Sequence, residues 1–155
     1  MTFSVLNAQN IPNYDFYVGT WAYETPSEQF IMKTKKTDYV YYGKTVYILI
    51  ATYRYVKNGV TIYDDLNTLS TTNRQMVNIW LYSVGDLPSN QMPTRLILQM
   101  NDHIKRKQVD GLFIELVSVS PPKIKWKLKE VEWSQEGDEL PGFSVPEEMI
   151  LTKVE

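Results

Sequence analysis

Acid–base chemistry in this chain would have to centre on His103, the single histidine among 155 residues. Its neighbour Asp102 is the nearest carboxylate in sequence, but adjacent residues on a strand point to opposite faces, so the pair is not a natural dyad. We therefore interpret His103 as a solvated histidine in a polar turn. A zinc site needs three or four nitrogen or sulfur ligands, and the chain contains no cysteine. We expect no metal and no cofactor.

Paired carboxylates occur at Asp64-Asp65 and at Glu147-Glu148. A glycosidase needs two acids that face each other across a cleft, about 5 to 10 Å apart, whereas adjacent acids at strand ends are typical of turns and of solubilising charge. The sequence has no calcium-binding Asp-x-Asp-x-Asp-Gly loop, no glycine-rich phosphate loop and no Gly-x-Ser-x-Gly elbow. We predict that the protein is not an enzyme, and a hydrolase that uses acids from strand ends is the last-ranked alternative.

Aromatic side chains are the strongest functional signal, since the chain contains 11 tyrosines, 4 tryptophans and 5 phenylalanines. Tyrosine and tryptophan combine apolar area with a polar tip, which suits ligand pockets and protein interfaces. We predict a binding module for a small apolar or aromatic ligand, with a protein-interaction domain of the inhibitor or immunity type as the alternative. A third interpretation is that the rings simply fill the core. The expected ligand-binding residues are Trp21, Tyr23, Tyr53, Tyr55 and Trp126.

A lysine ladder alternates with apolar residues near the C-terminus. Residues 123–129 read KIKWKLK, which predicts a strand with Ile124, Trp126 and Leu128 inside and the four lysines in water. Such a row could hold an anionic partner or lipid headgroups, but we favour a role in keeping the strand soluble and discouraging edge pairing. The net charge of -2 gives no basic excess, so we do not predict nucleic-acid binding.

The element that organises the chain is a hairpin within residues 44–65. Asn58-Gly59 supplies two residues that tolerate positive φ, as a type I′ turn requires. The predicted register places Lys57 opposite Val60, Val56 opposite Thr61, Tyr55 opposite Ile62 and Arg54 opposite Tyr63. The predicted core face carries Leu49, Ala51, Tyr53, Tyr55, Val60 and Ile62, and the other face carries Thr52, Arg54, Val56, Thr61 and Tyr63. Before residue 51 both faces are apolar, which indicates cover on both sides or the border of a binding surface.

The remaining patterns predict about eight to ten antiparallel strands and an all-β fold. The preferred architecture is an up-and-down barrel, and a two-sheet sandwich is the alternative. Further strands are predicted at residues 18–24, 29–33, 39–42, 76–84, 94–100, 111–119, 123–129 and 149–154. Loops are predicted at 35–38, 66–75 and 85–93, and a bulge near Glu130 would return Val131 and Trp133 to the interior.

Residues 18–155 are predicted to form a single β domain behind an N-terminal lead of residues 1–17. Within this lead, residues 3–9 resemble the tail of an export signal, with Ala8 at the cleavage point. We therefore expect an exported protein, periplasmic or extracellular, with a cytoplasmic one as the alternative. The sequence contains no apolar run of about 18 residues, so no membrane-spanning helix is predicted.

Two stretches carry a resemblance to known families. The segment Val18-Gly19-Thr20-Trp21 is similar to the glycine-x-tryptophan signature of lipocalins, which implies a barrel whose closed end is plugged by Trp21. Lipocalins often place an arginine late in the chain over that tryptophan, and here the last strand offers Lys153. Residues 140–146 (LPGFSVP) and the hairpin before Gly59 resemble small uncharacterised exported bacterial lipocalin-like domains, which implies no established activity.

Overall fold

The fold is all-β, as predicted, and the computed structural model describes residues 12–71, 77–83, 90–130 and 139–155. Two short 3₁₀ helices, Asp15–Tyr17 and Leu66–Thr71, accompany the strands. The strands are β1 Gly19–Glu24, β2 Glu28–Tyr41, β3 Lys44–Lys57, β4 Val60–Asp64, β5 Ile79–Ser83, β6 Arg95–Asp102, β7 Lys107–Ser118, β8 Lys123–Leu128 and β9 Glu148–Lys153.

Eight of these strands close into an antiparallel barrel. Their order is β2-β1-β9-β8-β7-β6-β5-β3, and direct pairing between β2 and β3 joins the two ends of the sheet. The strand β4 pairs with residues 54–57 at the C-terminal end of β3 and is not one of the eight strands of the ring. The architecture is therefore the predicted up-and-down barrel of lipocalin type and not the two-sheet sandwich. Closure removes the free edges of the ring itself.

The interior follows the period-two patterns of the sequence. On β6 Leu96, Leu98 and Met100 are buried, because alternate residues point into the barrel. On β8 the predicted inward residues Ile124, Trp126 and Leu128 are likewise buried. Burial of apolar side chains contributes roughly 1.5–3 kcal/mol for each large residue, so these rows supply much of the driving force for folding.

The Asn58-Gly59 hairpin is confirmed, but its register is confirmed only beside the turn. Both turn residues have positive φ, 52° and 76°. Lys57 pairs with Val60 and Val56 with Thr61; a bulge then places Tyr63 opposite Tyr55 and Asp64 opposite Arg54. The predicted pairs Tyr55–Ile62 and Arg54–Tyr63 are therefore wrong. Counting a register outward from a turn assumes that each residue of one strand faces one residue of the other, and a bulge adds an extra residue to one strand.

The two predicted faces of β3 are partly confirmed. Leu49, Ala51, Tyr53 and Tyr55 are buried inside the barrel, and Ile62 packs against this core. Val60 is 60% exposed, so its place in the core is wrong. Tyr63 is predicted on the other face, but the bulge sets it opposite Tyr55, and its ring lies 4.9 Å from that of Tyr53, so this assignment is wrong too. Thr52 lies on its predicted face, although it is fully buried there.

Immediately before residue 51 the strand is covered on both sides: Leu49 is buried inside the barrel, and an outer cluster of Ile50, Val77 and Trp80 packs against Ile48 and Leu69. This cover does not extend to Tyr47, which is 49% exposed.

The hairpin between β2 and β3 is longer than predicted. A second turn with positive φ occurs at Tyr42-Gly43 (48° and 74°), and β2 continues without a break through residues 35–38, so the loop predicted there is wrong. Polar residues suggested a loop because they are usually exposed, but this part of the strand is itself exposed. The loop predicted at 66–75 contains the 3₁₀ helix Leu66–Thr71. The proposed bulge at Val131 and Trp133, and the N-terminal residues 3–9, lie outside the described residues.

Candidate ligand site at the barrel mouth

The first 3₁₀ helix closes one end of the barrel. Its residue Tyr17 is buried, accepts a hydrogen bond from Trp21 Nε1 at its carbonyl oxygen (3.0 Å), and donates its hydroxyl to the carbonyl of Pro93. Lys153 Nζ lies 5.5 Å from the centre of the Trp21 ring and donates to the Phe16 carbonyl at 2.8 Å. Trp21 therefore forms the floor of the interior, as the lipocalin resemblance implies.

The other four predicted ligand residues lie around Phe30, towards the end of the barrel that is opposite the first 3₁₀ helix. The centre of the Phe30 ring lies 5.0 Å from Trp126, 5.5 Å from Tyr53 and 6.4 Å from Tyr55. Tyr23 is the direct cross-strand partner of Phe30 on β1. The structure thus brings Tyr23, Tyr53, Tyr55 and Trp126 together and separates Trp21 from them. Sequence reasoning missed Phe30, although its alternation with the buried Met32 on β2 is the signal that could have found it.

The polar tips of this aromatic cluster are satisfied at the open end, which we call the mouth. Tyr55 donates its hydroxyl to Glu28 Oε1 at 2.7 Å, and Trp126 Nε1 donates to the carbonyl of Pro146 at 3.1 Å. Burial raises the pKa of Tyr53 and of Tyr55 well above the ordinary value for a phenol. Both phenols therefore keep their protons to a higher pH than an exposed tyrosine does, and Tyr55 is the donor in its bond to Glu28.

A polar network lies beside Tyr53 at the mouth. Asn78 Nδ2 donates to Asp65 Oδ2 at 2.6 Å and also contacts the Tyr63 hydroxyl, while Asn78 Oδ1 lies 2.7 Å from His103 Nε2. The Tyr63 ring is 4.9 Å from that of Tyr53 and 5.9 Å from that of His103. His103 does lie in an exposed turn, as interpreted, but its contact with Asn78 was not predicted.

The carboxylate of this network is held away from water. Asp65 Oδ1 accepts the backbone N–H of Tyr53 at 2.8 Å. Burial raises the pKa of Asp65, against the opposing effect of its hydrogen bonds, and burial raises the pKa of Tyr63 to about 12. The amide and phenol donors of the network are thus directed at a partly buried carboxylate, and the network is satisfied internally.

A strap formed by residues 139–147 crosses the mouth. Its anchor is Asp102, which is 1% exposed and accepts both the backbone N–H and the hydroxyl of Ser144 at 2.7 Å. Val145 of the strap is buried in the barrel core, and the N–H of Leu140 donates to the carbonyl of Lys105 at 2.9 Å. The strap thus packs on the same interior that holds the aromatic cluster.

The described residues contain neither a candidate cluster of metal ligands nor a helix that could span a membrane. Within them no group of three or more histidine, cysteine or acidic residues is placed to hold a metal ion. Nor does any helix in the described parts have the length and apolar character to cross a membrane. The lysine ladder lies on the outer face of β8, where Lys125 and Lys127 are 4.0 and 3.7 Å from the carboxylate of Glu148.

Comparison with known proteins places the chain in a family. A family model described as a family of unknown function, DUF6705, matches residues 2–154, and the chain belongs to this family. No curated protein and no solved structure matches the chain. The fold and the site therefore have to be interpreted from this molecule's own geometry.

Proposed function

We propose that this barrel is a non-catalytic binding module for a small apolar or aromatic ligand, which it holds at the aromatic cluster below the mouth. The observation that supports the proposal is the convergence of Tyr23, Tyr53, Tyr55 and Trp126 on Phe30 beneath a strap. These rings are buried and packed against one another, so a ligand would have to part them and would then meet flat apolar surfaces. The Tyr55 hydroxyl and the Trp126 N–H bond to groups at the mouth, where a ligand's polar end would emerge. Trp21 would form the floor.

Entry to the cluster would require the strap to move. The strap is attached through Ser144, Val145 and Pro146 and through backbone hydrogen bonds at residues 140, 142 and 147. Its displacement would have to break these contacts to expose the rings, but would leave the pairing of the barrel strands with one another intact. The Asp65–Asn78–His103 network would then meet the polar group of the ligand. Because Tyr53 contributes both its ring to the cluster and its backbone N–H to Asp65, it links the apolar and polar parts of the proposed site.

Tryptophan fluorescence tests this proposal directly. The purified protein is titrated with a panel of fatty acids and hydrophobic dyes, and we expect a saturable change for at least one of them. Tyr53→Ala should weaken that binding at least tenfold, because it removes a ring from the centre of the site. The matched control is Tyr82→Ala on the barrel exterior, where the side chain is 69% exposed, and its affinity should equal that of the wild type. Titrations that stay flat across the panel would refute ligand binding.

Exposed aromatic residues outside the barrel favour a second candidate, a protein-interaction domain. Tyr47 and Tyr82 are 49% and 69% exposed, which is unusual for large aromatic rings unless they serve a contact. On this hypothesis Tyr82→Ala weakens capture of a protein partner while Tyr53→Ala does not, which is the reverse of the pattern expected for a ligand.

We also propose that the protein is exported. A fusion of residues 1–17 and their native upstream coding region to a reporter enzyme would test this proposal.

A further inference from the structure

The long β2–β3 hairpin forms an arm that extends beyond the barrel. The strand β1 pairs with β2 only as far as Thr34, and β5 pairs with β3 only at Ile50 and Ala51. Residues 35–49 pair only with each other among the described residues, so no described strand is paired with either edge of this two-stranded ribbon there. Seven residues of β2, from 35 to 41, correspond to a projection of about 23 Å at 3.3 Å per residue.

Positive charge is concentrated on this arm. Residues 35–49 include three lysines and one aspartate, which gives a formal charge of +2, and Lys33 lies just before them on β2. Since the whole chain carries -2, the residues outside 35–49 together carry -4. The arm is therefore a cationic projection on an acidic protein, which matches an anionic partner and repels other acidic surfaces.

The strand register concentrates that charge on one face of the arm. Lys33 and Lys35 alternate on the outer face of β2, and Lys44 lies on the same face because it pairs with residue 41. No acidic residue occupies this face between residues 31 and 50. Lys36 and Asp38 point the opposite way, and Lys36 forms an ion pair with Asp15.

The end of the arm is apolar and aromatic. Residues 38–47 contain four tyrosines and two valines among ten residues. The exposed fractions are 66% for Val40, 88% for Tyr42 and 49% for Tyr47. Tyrosine favours the boundary between lipid headgroups and acyl chains, where its ring is in apolar surroundings and its hydroxyl in polar ones. Lysines close to such a tip reach anionic headgroups.

We propose that this arm docks the protein on the surface of an anionic phospholipid bilayer. Its tip enters the interface, and Lys33, Lys35 and Lys44 face the headgroups. The lysine ladder of β8 is a poorer candidate, because Lys125 and Lys127 are already compensated by Glu148. A nucleic acid would neutralise the lysines but gain nothing from Val40 at the tip. Edge pairing with a second copy would crowd the like-charged lysines of two arms onto one face.

Vesicle co-sedimentation tests the proposal on the full chain. Vesicles of equal parts phosphatidylcholine and phosphatidylglycerol should pellet the protein, and vesicles of phosphatidylcholine alone should not. Replacing Lys33, Lys35 and Lys44 by glutamine should lower the partition coefficient about a hundredfold, since each lysine near an anionic surface contributes about fivefold. High salt should release the protein.

Two further variants make the test specific. Val40→Ser combined with Tyr42→Ser should weaken binding with all lysines retained, which separates insertion of the tip from simple charge attraction. The matched control replaces Lys123, Lys125 and Lys127 of the ladder by glutamine, which removes the same charge and should leave at least half of the wild-type binding. Equal loss in this control would overturn the proposal. So would binding to pure phosphatidylcholine, arm-dependent binding to a single-stranded DNA oligonucleotide without lipid binding, or an arm-dependent dimer in light scattering that ignores vesicles.

Discussion

The ammonium nitrogen of Lys153 lies 5.5 Å from the centre of the Trp21 ring and 5.7 Å from the centre of Phe16. The last strand thus places a cation over the tryptophan that forms the barrel floor, in the position where the lipocalin resemblance expects an arginine. The same ammonium donates to the carbonyl of Phe16, which ties the C-terminal strand to the first 3₁₀ helix. One side chain therefore fastens the two ends of the described chain at the closed end.

Replacing this lysine tests how much that contact stabilises the barrel. Lys153→Met keeps the length of the side chain but removes the charge, so it loses the cation–π contact and the hydrogen bond. We expect a decrease of about 1–2 kcal/mol in the free energy of unfolding, measured by urea denaturation. Lys153→Arg, which keeps the charge, should lose less than half of that. A methionine variant as stable as the wild type would show that the cation contributes nothing.

The aromatic cluster yields a second prediction, centred on Phe30. This side chain is fully buried and contacts three other rings, so Phe30→Ala should leave a cavity and cost about 3–5 kcal/mol. Phe30→Leu should cost clearly less, because it refills most of the volume. Urea denaturation gives both values. An alanine variant within about 1 kcal/mol of the wild type would mean that the surrounding rings collapse into the space, contrary to a rigid cluster.

The local alternation of apolar and polar residues predicted most of the fold features that are confirmed. The rows on β6 and β8, and the turn at Asn58-Gly59, are set by neighbours in sequence, so their patterns predicted them. Pairing between strands that are far apart in sequence, such as β1 with β9, leaves no such local pattern. The arm was missed for a related reason: its lysines suggested a loop, because nothing local distinguishes a solvated strand from a loop.

The candidate site was predictable in part. The rings of Tyr53, Tyr55 and Trp126 were found because they fall at inward positions of recognisable strands. The polar network was not found, because Asn78 and His103 are 25 residues apart and meet only when β5 pairs with β6. Ser144 and Asp102, 42 residues apart, meet for the same kind of reason. Side chains brought together by tertiary pairing leave no spacing signal in a single sequence.

The strap supplies a third prediction. Asp102→Asn keeps the shape of the side chain but removes the negative charge that accepts two hydrogen bonds from Ser144. We expect a loss of about 1.5–3 kcal/mol and, in hydrogen exchange, faster exchange of residues 139–147 than of the barrel strands. Glu148→Gln is the control, because its ion pairs at 3.7 and 4.0 Å are on the surface and contribute less than about 1 kcal/mol. Unchanged exchange in the strap would exclude Asp102 as its anchor.

Alkaline pH provides a fourth prediction. Burial raises the pKa of Tyr14 and of Tyr17 from 10.0 to about 12. Between these values the folded protein keeps phenolic protons that the unfolded chain releases, so the free energy of unfolding should fall as pH rises from 10 to 12. Each residue would contribute a loss of about 2–3 kcal/mol at the upper end and nothing at neutral pH. Urea denaturation at each pH measures the slope, and Tyr14→Phe should make it shallower. An identical slope in this variant would contradict the raised pKa.

Two glycines allow the cost of backbone strain to be distinguished from the cost of steric overlap: Gly59 lies in a turn, and Gly19 begins β1. At Gly59 φ is +76°, and a Cβ there would meet nothing within 4 Å, so Gly59→Ala should cost only the strain of the left-handed conformation, about 1–2 kcal/mol. At Gly19 φ is +141°, and a Cβ would overlap the carbonyl oxygen of Glu155, so Gly19→Ala should cost more than Gly59→Ala. Urea denaturation of the two variants gives the comparison. Equal losses would mean that the C-terminal residue moves aside freely, and hence that the contact at the closed end between Gly19 and Glu155 does not stabilise the barrel.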